Sequence, residues 1–133
     1  MNAPGVKDLL QLLIKKGKRI GVISNMDPRI ENVLEEAGLR DNFEFVVSSY
    51  NVKCLKPHGD IFKVTLEKFC KQATLPEECC HIGDSYLEDY LGAKQSGWGS
   101  LLISSQPPDD IINSAECHRS IEELTSCLLS QHF

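Results

Sequence analysis

The stretch that decides the fold is Arg19-Ile20-Gly21-Val22-Ile23-Ser24-Asn25-Met26-Asp27-Pro28. It begins as a short apolar run and ends in a cluster of polar side chains before a proline. A continuous apolar run without in-out alternation reads as a strand buried on both faces. Asp27-Pro28 opens a helix, because proline in the first turn lacks only an N–H that the helix leaves unpaired in any case. A strand that feeds a helix through a polar turn belongs to an α/β chain with a parallel sheet.

Working outward, the same alternation continues in both directions. Upstream, Val6, Leu9, Leu10, Leu13 and Ile14 recur at helical spacing, and Gly17 stands just past their end. Downstream, Ile30, Val33, Leu34 and Ala37 form the stripe of the second helix, which Gly38 closes. Phe43 to Ser49 is the next strand, and Tyr50 to Pro57 reads as a loop. A third helix shows Phe62, Thr65, Leu66 and Phe69 on one face. Cys79 to Gly83 is a third strand, Tyr86 to Gln95 a fourth helix, and Ser100 to Ser104 a fourth strand. After a loop around Pro107-Pro108, Ser120-Ile121-Glu122-Glu123 is a capping box that starts a last helix through Leu124 and Leu128. Strands alternating with helices, each strand a continuous apolar run, predict a parallel sheet covered on both faces.

Composition fits that picture and excludes several function classes. The 133 residues are 41% apolar and 25% charged, an ordinary globular balance for one domain spanning 1–133. The net charge of -5 comes from 19 acidic and 14 basic residues with no long run of one sign. Lys15-Lys16-Gly17-Lys18-Arg19 suits the solvated end of a helix, so no basic stripe interleaved with aromatics points to a nucleic-acid partner. No apolar run reaches the roughly 20 residues of a membrane helix, so the chain is expected to be soluble, intracellular and cytoplasmic in type. The six cysteines contain no Cys-x-x-Cys pair and read as reduced thiols; adjacent residues on a strand face opposite ways, which argues against zinc at Cys79-Cys80-His81.

In an open α/β sheet, ligands bind beyond the carboxyl ends of the strands. Three polar groups stand there. The first strand ends in Ser24-Asn25, the connection after the second holds Lys56-Pro57, and the third runs into Gly83-Asp84-Ser85 with Glu88 and Asp89 following. A hydroxyl, an ammonium and carboxylates on one rim suit a phosphate with a hard, oxygen-liking cation. Taken singly each has a plainer reading: Ser24, Asn25 and Asp27 as caps of the second helix, Lys56 as a solvated loop lysine, Asp84 as a cap, and Glu88 and Asp89 as partners of a helix dipole. Together, in this order on successive strand ends, they point to a site.

Ile23-Ser24-Asn25, Lys56-Pro57, and Gly83-Asp84-Ser85 through Asp89 to Gly92-Ala93 resemble, in order, the second, third and fourth motifs of the haloacid dehalogenase-like hydrolases. The resemblance covers nearly the whole chain. It implies a Rossmann-like, doubly wound parallel sheet and a set of roles. Ser24 and Asn25 would bind the phosphoryl group, Lys56 would neutralise its developing charge as the one catalytic residue left, and Asp84 with Asp89 would hold Mg²⁺ directly or indirectly. A paired acidic fourth motif favours phosphatase chemistry on a phosphorylated small molecule over dehalogenation.

The family's first motif is an Asp-x-Asp pair on the central strand of the sheet, and no Asp-x-Asp occurs in these 133 residues. The helical cap inserted after that strand has no counterpart either, and Pro4-Gly5 resembles the place where a relative's chain returns from cap to core. The expectation is therefore a partial core without its nucleophile, inactive alone. Its two strand pairs, Ile20–Ile23 with Phe45–Val47 and Cys80–Gly83 with Leu101–Ile103, would present unpaired inner edges open to strand insertion or self-association. The alternative is a non-catalytic binding or interaction module on the same fold. An unrelated nucleotide-binding domain is disfavoured, since no Gly-x-Gly-x-x-Gly or Gly-x-x-x-x-Gly-Lys loop follows any strand.

Overall fold

The computed structural model describes residues 5–56 and 59–131. The expectations for Met1 to Pro4 and for Pro57 lie outside the described residues.

The first helix, α1 (Val6–Lys15), buries Leu9, Leu10 and Leu12. Leu12 takes the place expected for Ile14, which is 44% exposed, because α1 packs on the last helix as well as on the sheet. Its end is set by Gly17, whose φ of 78° is a left-handed conformation that costs a side-chain-bearing residue steric strain. The Gly17 and Lys18 amides then donate back to the Ile14 and Leu13 carbonyls and satisfy the last turn.

The strands are short and all parallel. β1 (Gly21–Ser24) pairs with β2 (Phe45–Ser48), Val22 opposite Val46 and Ile23 opposite Val47. β3 (Cys80–Gly83) pairs with β4 (Gly99–Ile103), and β4 pairs with β5 (Cys117–His118). Among the described residues these form two separate sheets, of order β1-β2 and β3-β4-β5. The two strand pairs expected from the sequence are present. β5 is an addition in a stretch read as loop, where two residues are too few to show any period. The Leu102 and Ser104 amides hold it by donating to Glu116 and His118 carbonyls.

Helices cover both faces. On the Val22 face, Leu10 of α1 meets Ile30 and Leu34 of α2 (Arg29–Glu36), with Leu39 completing the cluster. On the opposite face, Ile23 and Val47 pack against Ile61 and Phe62 of α4 (Gly59–Lys68) and Ala93 of α5 (Gly92–Gln95), with Trp98 beside them. Phe62 ties the two sheets together. It is fully buried, packs in the cluster with Ile23, and meets the ring of His81 on β3 edge-on at 5.2 Å. Burying a side chain of this kind stabilises the fold by about 1.5–3 kcal/mol.

Two local expectations are corrected. Phe69 lies one residue past α4, is 39% exposed, and leans on Phe45 at 5.7 Å; Ile61 fills the buried stripe in its place. The stretch from Tyr50, read as loop, begins with one helical turn, α3 (Ser49–Val52), ended by Lys53 at a left-handed φ of 58°. The last helix, α6 (Ile121–Leu129), has the expected Ser120 cap, whose hydroxyl accepts the Glu123 amide at 3.0 Å. Glu123 reaches back to the Arg119 amide rather than to that of Ser120.

Candidate functional site

Three chain segments converge on Lys56. β1 delivers Asn25 to the rim, and its side-chain amide grips the Lys56 backbone twice. Lys56 N–H donates to Asn25 Oδ1 at 2.9 Å, and Asn25 Nδ2 donates to the Lys56 carbonyl at 3.3 Å. Asn25 Nδ2 also donates to Glu88 Oε2 at 2.5 Å, which joins the end of β1 to the segment after β3. The Lys56 ammonium reaches the same segment and donates to Asp89 Oδ1 at 2.5 Å. The lysine side chain is 12% exposed and the aspartate 6%, so this ion pair is shielded from solvent screening.

Asp89 reaches this place because the helix after β3 is not a regular α-helix. Tyr86–Leu91 is a π-helical turn in which the Ser85 carbonyl accepts from both the Asp89 and Tyr90 amides, at 3.0 and 3.1 Å. Such wide turns accommodate an extra residue and recur at functional sites. Here the turn carries the Asp89 carboxylate back over Gly83: a Cβ on Gly83 would lie 2.2 Å from Asp89 Cγ, so only glycine leaves room. Asp89 then accepts from three donors: Lys56, His81 Nε2 at 2.9 Å, and the Ser85 amide at 3.0 Å. Burial alone pushes its carboxyl pKa up, but the His81 and Lys56 contacts and the Ser85 amide outweigh burial and hold it well below the usual carboxylate range.

The other candidates stand around this cluster. Ser24 ends β1, and its hydroxyl accepts the Met26 amide at 3.0 Å. Asp27 does cap α2, accepting the Arg29 amide at 3.0 Å. Asp84, at the end of β3, is exposed and makes no hydrogen bond or ion pair with any described residue. The structure thus brings Asn25, Lys56, Glu88 and Asp89 into direct contact. Ser24 and Asp84 follow the same strand ends but make no hydrogen bond or ion pair with Lys56, whose polar partners are Asn25 and Asp89. His81 is the residue that sequence reasoning missed: it is buried within β3, where an inward histidine followed eight residues later by aspartate was the available signal. The six cysteines are free, and burial pushes the Cys79 thiol up to about 11.

The site fixes a largely shielded ammonium at the rim between the two parallel sheets, with carboxylate oxygens beside it. The family model for haloacid dehalogenase-like hydrolases matches residues 2–97. The chain belongs to that family. Haloacid dehalogenase-like hydrolase domain-containing protein 3 of Mus musculus is 41% identical over 96 residues, which are 72% of this chain and 37% of that protein. Among solved structures, a HAD phosphatase from Thermococcus onnurineus superposes with a TM-score of 0.81 at 26% identity, covering 94% of this chain and 57% of that one. A putative HAD-hydrolase, YfnB of Bacillus subtilis bound to magnesium, superposes with a TM-score of 0.79 at 23% identity, covering 93% and 54%. This chain therefore has the haloacid dehalogenase fold, and phosphatase-type structures are among its neighbours. It spans about two fifths of the length of the curated relatives it matches. Among the described residues no helix is long and apolar enough to cross a membrane.

Proposed function

We propose that this chain is the phosphate- and Mg²⁺-handling part of a phosphatase-type hydrolase, lacking the attacking carboxylate and inactive alone. The observation that carries this reading is the convergence of the β1 end, the segment before α4 and the π-helical turn on one shielded ammonium, Lys56. A cation held on a rigid rim can neutralise charge as it builds on a transferring phosphoryl oxygen, without reorganising at the moment of reaction. In this reading Ser24 and Asn25 orient the phosphate, Asn25 doing so while also fixing Lys56.

The residues fit a magnesium ion in part. Mg²⁺ takes oxygen ligands and commonly only one or two carboxylates, the rest being water and substrate. Asp84 is such a carboxylate, exposed and uncommitted to any described residue. Asp89 has given its oxygens to Lys56, His81 and the Ser85 amide, so its role is to hold Lys56 and to support the metal site from behind. Bound there, the cation would supply Lewis-acid polarisation of a phosphoryl oxygen. The substrate class is a phosphorylated small molecule, and turnover requires a carboxylate brought by a segment outside these 133 residues.

The test pairs binding with turnover. Inorganic phosphate with Mg²⁺ is expected to bind this chain weakly, and Lys56→Ala and Asp84→Asn are each expected to weaken that binding by about tenfold or more. A chromogenic phosphate monoester with Mg²⁺ is expected to show no turnover above buffer. Robust hydrolysis that Asp84→Asn abolishes would overturn the incomplete-site reading. Unchanged binding in both variants would overturn the site itself and favour an interaction module.

A further inference from the structure

Cys70 and Cys79 stand nine positions apart in the chain and meet in space. Cys70 follows the end of α4, where its amide donates to the Thr65 carbonyl at 3.2 Å. Cys79 precedes β3; its amide donates to the Pro76 carbonyl at 3.0 Å, and its carbonyl accepts the Gly99 amide at 2.8 Å. Both backbones are therefore anchored, and the two thiols hydrogen-bond to each other. Both side chains also line one cavity of about 560 Å³. Each is half-buried, so a small reagent can reach it.

The adjacent thiol is set apart by the strand geometry. Cys79 and Cys80 lie in extended backbone, so their side chains face opposite ways. Cys80 has Glu116 and Lys94 as charged neighbours, away from Cys70. The connection between the pair, residues 71–78, is mostly exposed and can yield as the sulfurs close to bonding distance. The two thiols are also unequal. Burial, and then the Cys70 neighbour, push Cys79 up to about 11. Burial raises Cys70 too, but the hydrogen bond from Cys79 offsets part of that rise. Cys70 therefore ionises first, and the thiolate is the attacking species in disulfide exchange.

We infer that Cys70 and Cys79 are a dithiol modification site, which a low-molecular-weight disulfide oxidises to an intramolecular disulfide. The Cys70 thiolate attacks one sulfur of the small disulfide and expels its other half as a thiolate, leaving a mixed disulfide on Cys70. Cys79 then gives its proton to solvent, attacks the Cys70 sulfur and expels the second half as a thiolate. Two protein thiols are oxidised and one small disulfide is reduced to two thiols. α4 packs on the first sheet through Ile61 and Phe62, and β3 belongs to the second. The new bond thus staples the two sheets at the end away from the rim. It is independent of the proposed phosphate chemistry, and its test reads mass rather than turnover.

The experiment equilibrates the full chain with mixtures of reduced and oxidised glutathione at neutral pH, quenches by alkylation and maps peptides by mass spectrometry without reduction. The expected product has lost two hydrogens and carries a Cys70–Cys79 cross-link. Its equilibrium constant should exceed that of the same pair in the urea-unfolded chain by about tenfold or more, because folding holds the thiols together. Cys79→Ser should stop at a glutathione adduct on Cys70, and Cys80→Ser should leave the cross-link unchanged. A constant no greater in the folded chain than in urea would overturn the inference. So would a persistent glutathione adduct on Cys70 of the unsubstituted chain, or a cross-link that takes Cys80 in place of Cys79.

Discussion

The two halves of the molecule meet at one rim but are built from opposite materials. Behind β1, the packing is apolar throughout: Val22, Leu10, Ile30, Leu34 and Leu39. Behind β3, the equivalent space holds a buried aspartate, a buried histidine and a shielded lysine. The first half is a stable platform that presents one amide side chain, Asn25. The second half encloses charge, compensated by an ion pair and hydrogen bonds. The contrast teaches that symmetrical position on a sheet rim does not mean symmetrical role: one side locates the Lys56 backbone and the other side pairs with its ammonium.

The largest expected effect separates these halves directly. Asp89→Ala leaves the Lys56 and His81 donors facing an empty space, and losing one partner of a buried pair costs about 3–5 kcal/mol. Chemical denaturation measures this. A loss below about 1 kcal/mol would mean that the pair is solvated and the contrast is false. Leu34→Ala, in the apolar half, is expected to cost about 2–5 kcal/mol through a cavity. The two clusters have no residue in common, so the double variant should be additive within about 0.5 kcal/mol.

The pH dependence sharpens the comparison. Asp89 is depressed in the folded state, so the unfolded chain takes up its proton first as pH falls. Its contribution is fully present above about pH 4, the ordinary carboxylate value, and is lost progressively as pH drops below it. The stability gap between the protein and Asp89→Asn should therefore be flat from neutral pH down to about 5 and narrow beneath about 4, whereas the gap to Leu34→Ala should not follow this titration. Denaturation midpoints across that range decide it.

Smaller effects follow from local geometry. Gly83→Ala pushes a methyl into the Asp89 carboxylate, and overpacking of this kind costs about 1–3 kcal/mol. It should also loosen Lys56 and so weaken phosphate binding. Smallest is Ser120→Ala, which removes the cap of α6 far from the rim. It should cost about 1 kcal/mol and leave phosphate binding unchanged.

The halves also differed in how well they could be read from sequence. β1, α2 and β2 follow directly from Ile20–Ile23, Pro28 and the stripe of Ile30 and Leu34, because apolar period and helix punctuation are local signals. The strand positions of β3 and β4 were equally legible, and so was the placing of Ser24, Lys56 and Asp84 near strand ends. What lay beyond reach was non-local. Nothing in Tyr86-Leu87-Glu88-Asp89-Tyr90-Leu91 announces a π-helical turn, and His81 acquires its role only through a contact eight residues away. β5 draws its existence from its neighbour, since Cys117 and His118 alone carry no strand signature. Asn25, one plain reading of which was a helix cap, instead clasps a backbone 31 residues along the chain.

The wide turn at Tyr86–Leu91 also limits how this protein can be re-engineered. An α-helix advances about 100° per residue, so trimming one residue to regularise the coil would swing every later side chain by roughly that angle. Ala93, now sealed against Phe62 and Trp98, would be rotated out of its socket at the same stroke that withdrew the carboxylate from Lys56. The Lys56–Asp89 ion pair and the hydrophobic packing are thus geared to the same screw thread, and neither can be retuned by length changes without stripping the other.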